Sequence, residues 1–199
     1  MPTLILASQS RQRLDLLKQI GFAPTCLPAD IDETPQPDES PAEMVMRLAC
    51  VKARACSEKP EFTSIVAQGH HGVILAADTV IDLDGQVLGK PRNRAEGIGM
   101  LLQLSDREHQ VHSGVCVLSP NREQYTERVT STVRFARLTR QLAENYWDSG
   151  EPEGKAGSYA IQAKGAQFVV HLSGSYSNVV GLPLYETTRL LARTGLVSL

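Results

Sequence analysis

Five apolar residues in a row, Val73-Ile74-Leu75-Ala76-Ala77, run straight into Asp78-Thr79, and no other stretch constrains the chain as much. An unbroken apolar run of this kind is what a strand buried on both faces requires, and both faces are covered only where helices flank a sheet. A carboxylate at the end of such a strand sits where the sheet opens onto a cleft. β-branched residues resume after Asp78, Asp84-Gly85 is a two-residue hairpin signal, and Gln86-Val87-Leu88 returns, so the hairpin carries Lys90 back towards Asp78. A carboxylate and an ammonium on one rigid element suit a metal and a phosphate. For an isolated aspartate the commoner reading is a strand-end cap, and for Lys90 a solvated loop lysine.

The preceding segments supply further polar candidates. Thr3 to Ala7 reads as a short strand, Ser8-Gln9-Ser10 as a polar turn, and Leu14, Leu17 and Ile20 as one face of a helix that Gly21 closes. The first N–H groups of that helix have no internal partners and its dipole favours an anion, to which Arg11 and Arg13 add charge; a plain N-cap with solvated arginines is an equal reading. Pro24 to Pro37 is a proline-broken loop carrying Asp30, Asp32 and Glu33, acids that want a cation or water. Ser40-Pro41-Ala42-Glu43 is a capping box, and Val45, Leu48 and Ala49 mark the buried face of a helix to about Ser57. Lys52 borders that face and can reach into a cleft, although a snorkelling lysine is commoner.

Lys59 to Gly72 reads as a polar surface connection, its His70 and His71 assigned no metal. Asn93 opens a helix weakened by Gly97 and Gly99, and His109–Leu118 with Gln124–Phe135 forms an antiparallel hairpin, which makes the sheet mixed. Thr139 opens a helix through Trp147 that Gly150 closes. The loop from Glu151 to Tyr159 has three glycines and a lysine in or beside it, the mark of backbone close to a ligand. Gln167 to Leu172 reads as a strand, Gly174 to Gly181 as a second loop, and Pro183 as the start of the last helix.

Length and charge bound the rest. At 199 residues the chain fits one domain, residues 1–199, drawn into two lobes. A formal charge of −2 argues against coating nucleic acid or an anionic membrane, while leaving room for a basic pocket for a small polyanion. Cys26, Cys50, Cys56 and Cys116 form no C-x-x-C pair and read as reduced thiols. Nowhere do apolar residues run long enough to span a bilayer, so the chain is expected to be soluble and cytoplasmic.

Read together, LILASQSRQRLDLL (Leu4 to Leu17), LAADTV with LGKP (Leu75 to Pro91), and GEPEGKAGSYAIQAKGAQF followed by NVVGLPL (Gly150 to Leu184) resemble the Maf family of nucleoside triphosphate pyrophosphatases. The resemblance implies an α/β fold of the Maf or inosine-triphosphatase-like kind, a mixed, twisted central sheet flanked by helices, with two lobes around a cleft. It implies hydrolysis of a nucleoside triphosphate to the monophosphate and pyrophosphate with a divalent cation, Mg²⁺ or Mn²⁺, in a cytoplasmic protein of a family whose members are often homodimers and are associated with house-cleaning and with septum formation. Asp78 matches the family's catalytic aspartate, the proton acceptor. Ser8, Arg13, Lys52 and Lys90 match substrate-binding positions, and Glu33 with Asp78 the metal ligands. Thr79 and Gln162 match specificity positions, and Thr79 with Tyr159-Ala160-Ile161-Gln162 follows the branch that prefers dTTP and UTP. The chain departs at Arg11 and Gln12, where the family has proline and arginine; Gln12 is a third specificity position, and Arg11 offers a guanidinium one residue early. Two other readings stand beside this one: a pyrophosphatase for 7-methyl-GTP or another purine nucleotide, and a nucleotide-binding division regulator with little turnover. The chemistry agrees, because attack at an α-phosphorus needs an oriented water, neutralised phosphate oxygens and a held leaving group, with little covalent work for the protein.

Overall fold

Strand β3, Gly72–Leu83, is twelve residues long and buried along most of its length, as its apolar sequence demands. It does not end at Asp78. The strand continues through Asp78-Thr79 to the hairpin, so the catalytic candidate sits mid-strand, its polar groups satisfied by tertiary partners instead of by a strand end. The computed structural model describes residues 3–67 and 72–197; His70 and His71 lie outside the described residues.

In chain order the other elements are β1 (Thr3–Leu6), α1 (Arg11–Gln19), β2 (Thr25–Cys26), α2 (Pro41–Ser57), α3 (Pro60–Ala67), β4 (Gln86–Leu88), α4 (Arg94–Leu104), β5 (Glu108–Leu118), β6 (Gln124–Phe135), α5 (Arg140–Trp147), β7 (Val169–Ser173), α6 (Tyr176–Val180) and α7 (Leu184–Ala192). The strands form one mixed sheet in the order β2-β1-β3-β5-β6-β7, with β4 paired to β3. Two expected connections contain helices: α3 lies within Lys59 to Gly72, and α6 lies within Gly174 to Gly181. The expected strand from Gln167 begins at Val169, after a 3₁₀ turn over Lys164–Phe168.

The chain forms two compact units, one of Met1–Thr79, Ser113–Val129 and Gly181–Leu199, the other of Val80–His112 and Thr130–Val180. In the first, β1 pairs in parallel with β2 and with β3, Leu6 opposite Leu75. Helix α2 begins at the Ser40–Glu43 capping box and turns Val45, Leu48, Ala49 and Ala53 inward, each fully buried. Burial of a side chain such as Leu48 contributes about 2 kcal/mol. Gly114 of β5 lets α2 lie directly on the sheet: a Cβ there would stand 2.3 Å from the Val45 carbonyl oxygen.

In the second unit, Ile81–Leu83 pairs antiparallel with Gln86–Leu88. Asp84 and Gly85 adopt φ values of 54° and 84°, the left-handed pair that a type I′ turn requires. The core here is aromatic, with Phe135 edge-on to Tyr159 and Tyr146 edge-on to Phe168. Gly97, a helix-weakening residue by propensity, is there because the Trp147 ring of α5 occupies the space its Cβ would take, at 1.9 Å. Packing overrides propensity at that position.

Candidate active site

Lys52 is the centre of the polar cluster in the first unit. It falls on the inward face of α2, one turn after Leu48, and is 7% exposed, so it does not snorkel. Its ammonium lies 2.6 Å from Asp78 Oδ1 and 2.7 Å from Glu33 Oε1. Asp78 is as buried as Lys52, whereas the Glu33 side chain is half exposed. Taking an ammonium and a carboxylate out of water costs more than their attraction readily returns, so a buried pair of this kind signals function more than stability.

The loop that brings Glu33 to Lys52 is tied to α2 by a residue that sequence reasoning passed over. Arg47 makes a two-pronged ion pair with Glu39, at 2.5 and 2.7 Å, and also donates to the Thr34 carbonyl at 3.1 Å. Asp32 accepts from the N–H and hydroxyl of Thr34, closing the turn beside Glu33. An acidic loop followed within two turns by an arginine on the next helix is a signal that was available, but the pairing itself is nonlocal.

The polar turn before α1 folds back on itself. Ser8 Oγ accepts from the Ser10 N–H at 3.1 Å, and Ser10 Oγ accepts from the Arg13 N–H at 3.4 Å as the helix cap. The Arg13 guanidinium turns inward and donates to Ser8 Oγ, Thr79 Oγ1 and the Gly181 carbonyl, at 3.2, 3.2 and 2.9 Å. Burial lowers its pKa, with the carboxylates of Asp78 and Glu33 pulling the other way. Thr79 is further held by Ser113 Oγ at 2.8 Å and the Gly181 carbonyl at 3.3 Å. Ser8, Arg13, Glu33, Lys52, Asp78 and Thr79 are thus assembled in the first unit. Ser113 and Gly181 belong with them, residues whose part no local pattern announces.

Gln12 accepts from the Ser10 hydroxyl at 3.2 Å. Arg11 does not turn inward to replace the family's missing arginine: it faces solvent and pairs with Asp15 on its own helix. Lys90 and Gln162 belong to the second unit and are exposed. There the glycine loop is fastened to the hairpin end beside Lys90, the Gly157 N–H donating to the Gly89 carbonyl at 3.0 Å. Tyr159, in the same loop, shares a hydrogen bond of 2.8 Å with His109 Nε2. Burial pushes the His109 imidazole down to about 4, so at neutral pH it is the uncharged ring that holds the phenol.

Among the described residues no three His, Cys, Asp or Glu side chains gather to hold a metal ion. The cluster offers two carboxylates, Glu33 and Asp78, both turned to one ammonium. That set fits a hard divalent ion of the magnesium kind, which takes one or two carboxylates and completes its shell with water and substrate phosphates. No described helix is long and apolar enough to cross a membrane.

The fold and the site define an α/β protein whose mixed sheet carries a buried lysine between two carboxylates, with a guanidinium beside them. The chain belongs to the Maf family: the model for "Maf-like protein" matches residues 3–194. It is 48% identical over 193 residues to a dTTP/UTP pyrophosphatase of Pseudoalteromonas atlantica, covering 97% of both chains. It is 43% identical over 195 residues to a dTTP/UTP pyrophosphatase of Symbiobacterium thermophilum, covering 98% of this chain and 95% of the other. Among solved structures, a HAM1 protein from Coxiella burnetii shares the fold at a TM-score of 0.53 and 19% identity, over 97% of this chain and 100% of that one.

Proposed function

We propose that this chain is a nucleoside triphosphate pyrophosphatase that hydrolyses dTTP and UTP to the monophosphate and pyrophosphate. The observation that carries the reading is the buried Lys52 held between Asp78 and Glu33, in a chain whose relatives of 43–48% identity are named dTTP/UTP pyrophosphatase. In the reaction the oxygen of water bonds to the α-phosphorus, the bond from that phosphorus to the bridging oxygen breaks, and pyrophosphate leaves. Asp78 orients the water and takes its proton. Lys52, Arg13 and Lys90 neutralise phosphate oxygens as charge shifts towards the leaving group, and Ser8 keeps the Arg13 fork aimed. A divalent cation, Mg²⁺ or Mn²⁺, held by Asp78 and Glu33 would supply charge neutralisation at the phosphates and a more acidic water.

Selectivity rests on Gln162, whose amide offers a donor and an acceptor to the imide edge of uracil or thymine. A purine is one ring larger and cannot bring its own edge to that amide from the same seat, and each hydrogen bond left unmade costs about 1 to 3 kcal/mol. Thr79 contributes by fixing Arg13, and Gln12 presents a neutral amide where the family has a cation.

The test is phosphate release through a coupled inorganic pyrophosphatase, on dTTP, UTP, CTP, GTP and 7-methyl-GTP, with Mg²⁺, with Mn²⁺ and with chelator. The expected result is a kcat/KM for dTTP and UTP at least about tenfold above the other nucleotides, abolished by chelator. Preference for GTP or 7-methyl-GTP would overturn the pyrimidine reading, turnover unaffected by chelator the metal, and no turnover on any nucleotide would favour a binding role.

A further inference from the structure

We propose that Tyr146 and Glu151 are positioning residues for substrate selectivity, a phenol and carboxylate that clamp the backbone on both sides of Gln162; the proposal rests on the reading of Gln162 given above. Tyr146, at the end of α5, is 3% exposed. Its hydroxyl donates to Glu151 Oε1 at 2.7 Å and accepts the Ala160 N–H at 3.1 Å. Glu151 Oε1 also accepts the Gly165 N–H at 2.9 Å, and Oε2 the Lys164 N–H at 3.0 Å. Three backbone amides, two residues before Gln162 and two and three after it, are thereby tied to one side-chain pair. The peptide between them has its own turn, the Ala163 N–H donating to the Ala160 carbonyl at 3.3 Å. Gln162 itself is exposed at the tip of this turn.

The clamp is closed by packing. A Cβ on Gly165 would lie 2.7 Å from both Tyr146 Oη and the Ala160 carbonyl oxygen, so nothing larger than glycine fits under the phenol. It also demands an ionised carboxylate, because Glu151 faces three donors and presents none. Burial acts to raise the Glu151 carboxyl, and the Tyr146 hydroxyl with the Gly165 and Lys164 N–H groups outweighs it, leaving the pKa below the usual glutamate value. An exposed loop that only joined α5 to β7 would need no such brace. A loop whose amide must meet a base edge in one orientation does, since a misplaced hydrogen-bonding group discriminates against nothing.

The experiment compares Tyr146→Phe, Glu151→Gln and Gln162→Ala with the wild type. Tyr146→Phe keeps the ring that packs edge-on against Phe168 and removes only the hydroxyl. Glu151→Gln keeps the volume and turns one acceptor into a donor that faces another donor. Both are expected to lower the UTP-over-GTP ratio of kcat/KM at least about fivefold, the worth of roughly one hydrogen bond, through KM for UTP with kcat nearly unchanged. Amide hydrogen exchange across residues 160–165 should rise at least about tenfold in both, with the rest of the second unit unaffected. Selectivity lost in Gln162→Ala but kept in both clamp variants overturns the clamp alone. Selectivity kept in Gln162→Ala overturns the reading of Gln162, and the selectivity role of the clamp with it. Should Glu151→Gln fail to fold, Tyr146→Phe decides by the same two measurements.

Discussion

Asp78→Asn lowers kcat for dTTP and UTP by at least about a hundredfold, the usual worth of an essential proton acceptor, while leaving a folded protein. The substitution hardly changes volume, and the asparagine carbonyl can still accept from Lys52. The Lys52 charge keeps a second carboxylate in Glu33, at 2.7 Å, so the ammonium is not stranded in the interior as it would be in a two-member pair. What is lost is one buried negative charge: the group that takes the proton of the attacking water and one of two carboxylates that would hold a cation. Glu33→Gln should cost less, because the Glu33 side chain is 56% exposed against 9% for Asp78, and water screens and replaces it more readily. Single-turnover rates on UTP, with circular dichroism as the check on folding, rank the two. A folded Asp78→Asn enzyme turning over at the wild-type rate would remove Asp78 from the chemistry, and a larger loss at Glu33 than at Asp78 would reverse their roles.

How far the sequence foretold this arrangement differs from residue to residue, for physical reasons. The Asp84-Gly85 hairpin and the Ser40–Glu43 capping box are determined within four residues, and the structure forms both. Lys52 was legible as the edge of an apolar stripe, because helical periodicity fixes which way a side chain leaves the axis. Its partners were not, since Asp78 and Glu33 stand 26 and 19 positions away and only folding brings them within 2.7 Å. The same limit explains the misplaced strand end. A polar Asp78-Thr79 inside an apolar run reads locally as a terminus, yet β3 runs on through it, with Lys52, Arg13 and Ser113 supplying those side chains with partners. Helix α3 has a weak local pattern and no fully buried residue, so nothing in its periodicity distinguished it from a connection. Arg11 was legible as a guanidinium one residue before Gln12, and the structure leaves it in solvent, 3.8 Å from Asp15 on the outer face of α1.

Gly114→Ala is expected to be the most damaging single methyl in the first unit. An added Cβ would stand 2.3 Å from the Val45 carbonyl oxygen, 2.5 Å from its carbon and 2.8 Å from the Met46 nitrogen, all backbone of α2. Where the obstacle is the end of a flexible side chain, a rotamer change relieves it; a helix backbone must move as a body, by about 1 Å to reach ordinary contact distance. Overpacking of a closed core costs about 1 to 3 kcal/mol, and more where backbone must shift. The helix that would have to move carries Lys52, and Gly114 is itself adjacent to Ser113, which holds Thr79 at 2.8 Å. Stability and activity should therefore fall together, while selectivity between UTP and GTP persists in the remaining folded enzyme because Gln162 lies in the other unit. Gly99→Ala provides the contrast. Nothing lies within 4 Å of a Cβ there, and in the interior of α4 alanine is favoured over glycine by about 1 kcal/mol, so that variant should be slightly more stable than wild type. Urea denaturation of the three proteins measures both shifts, and a Gly114→Ala enzyme as stable as wild type would mean that α2 does not bear on β5 at Gly114.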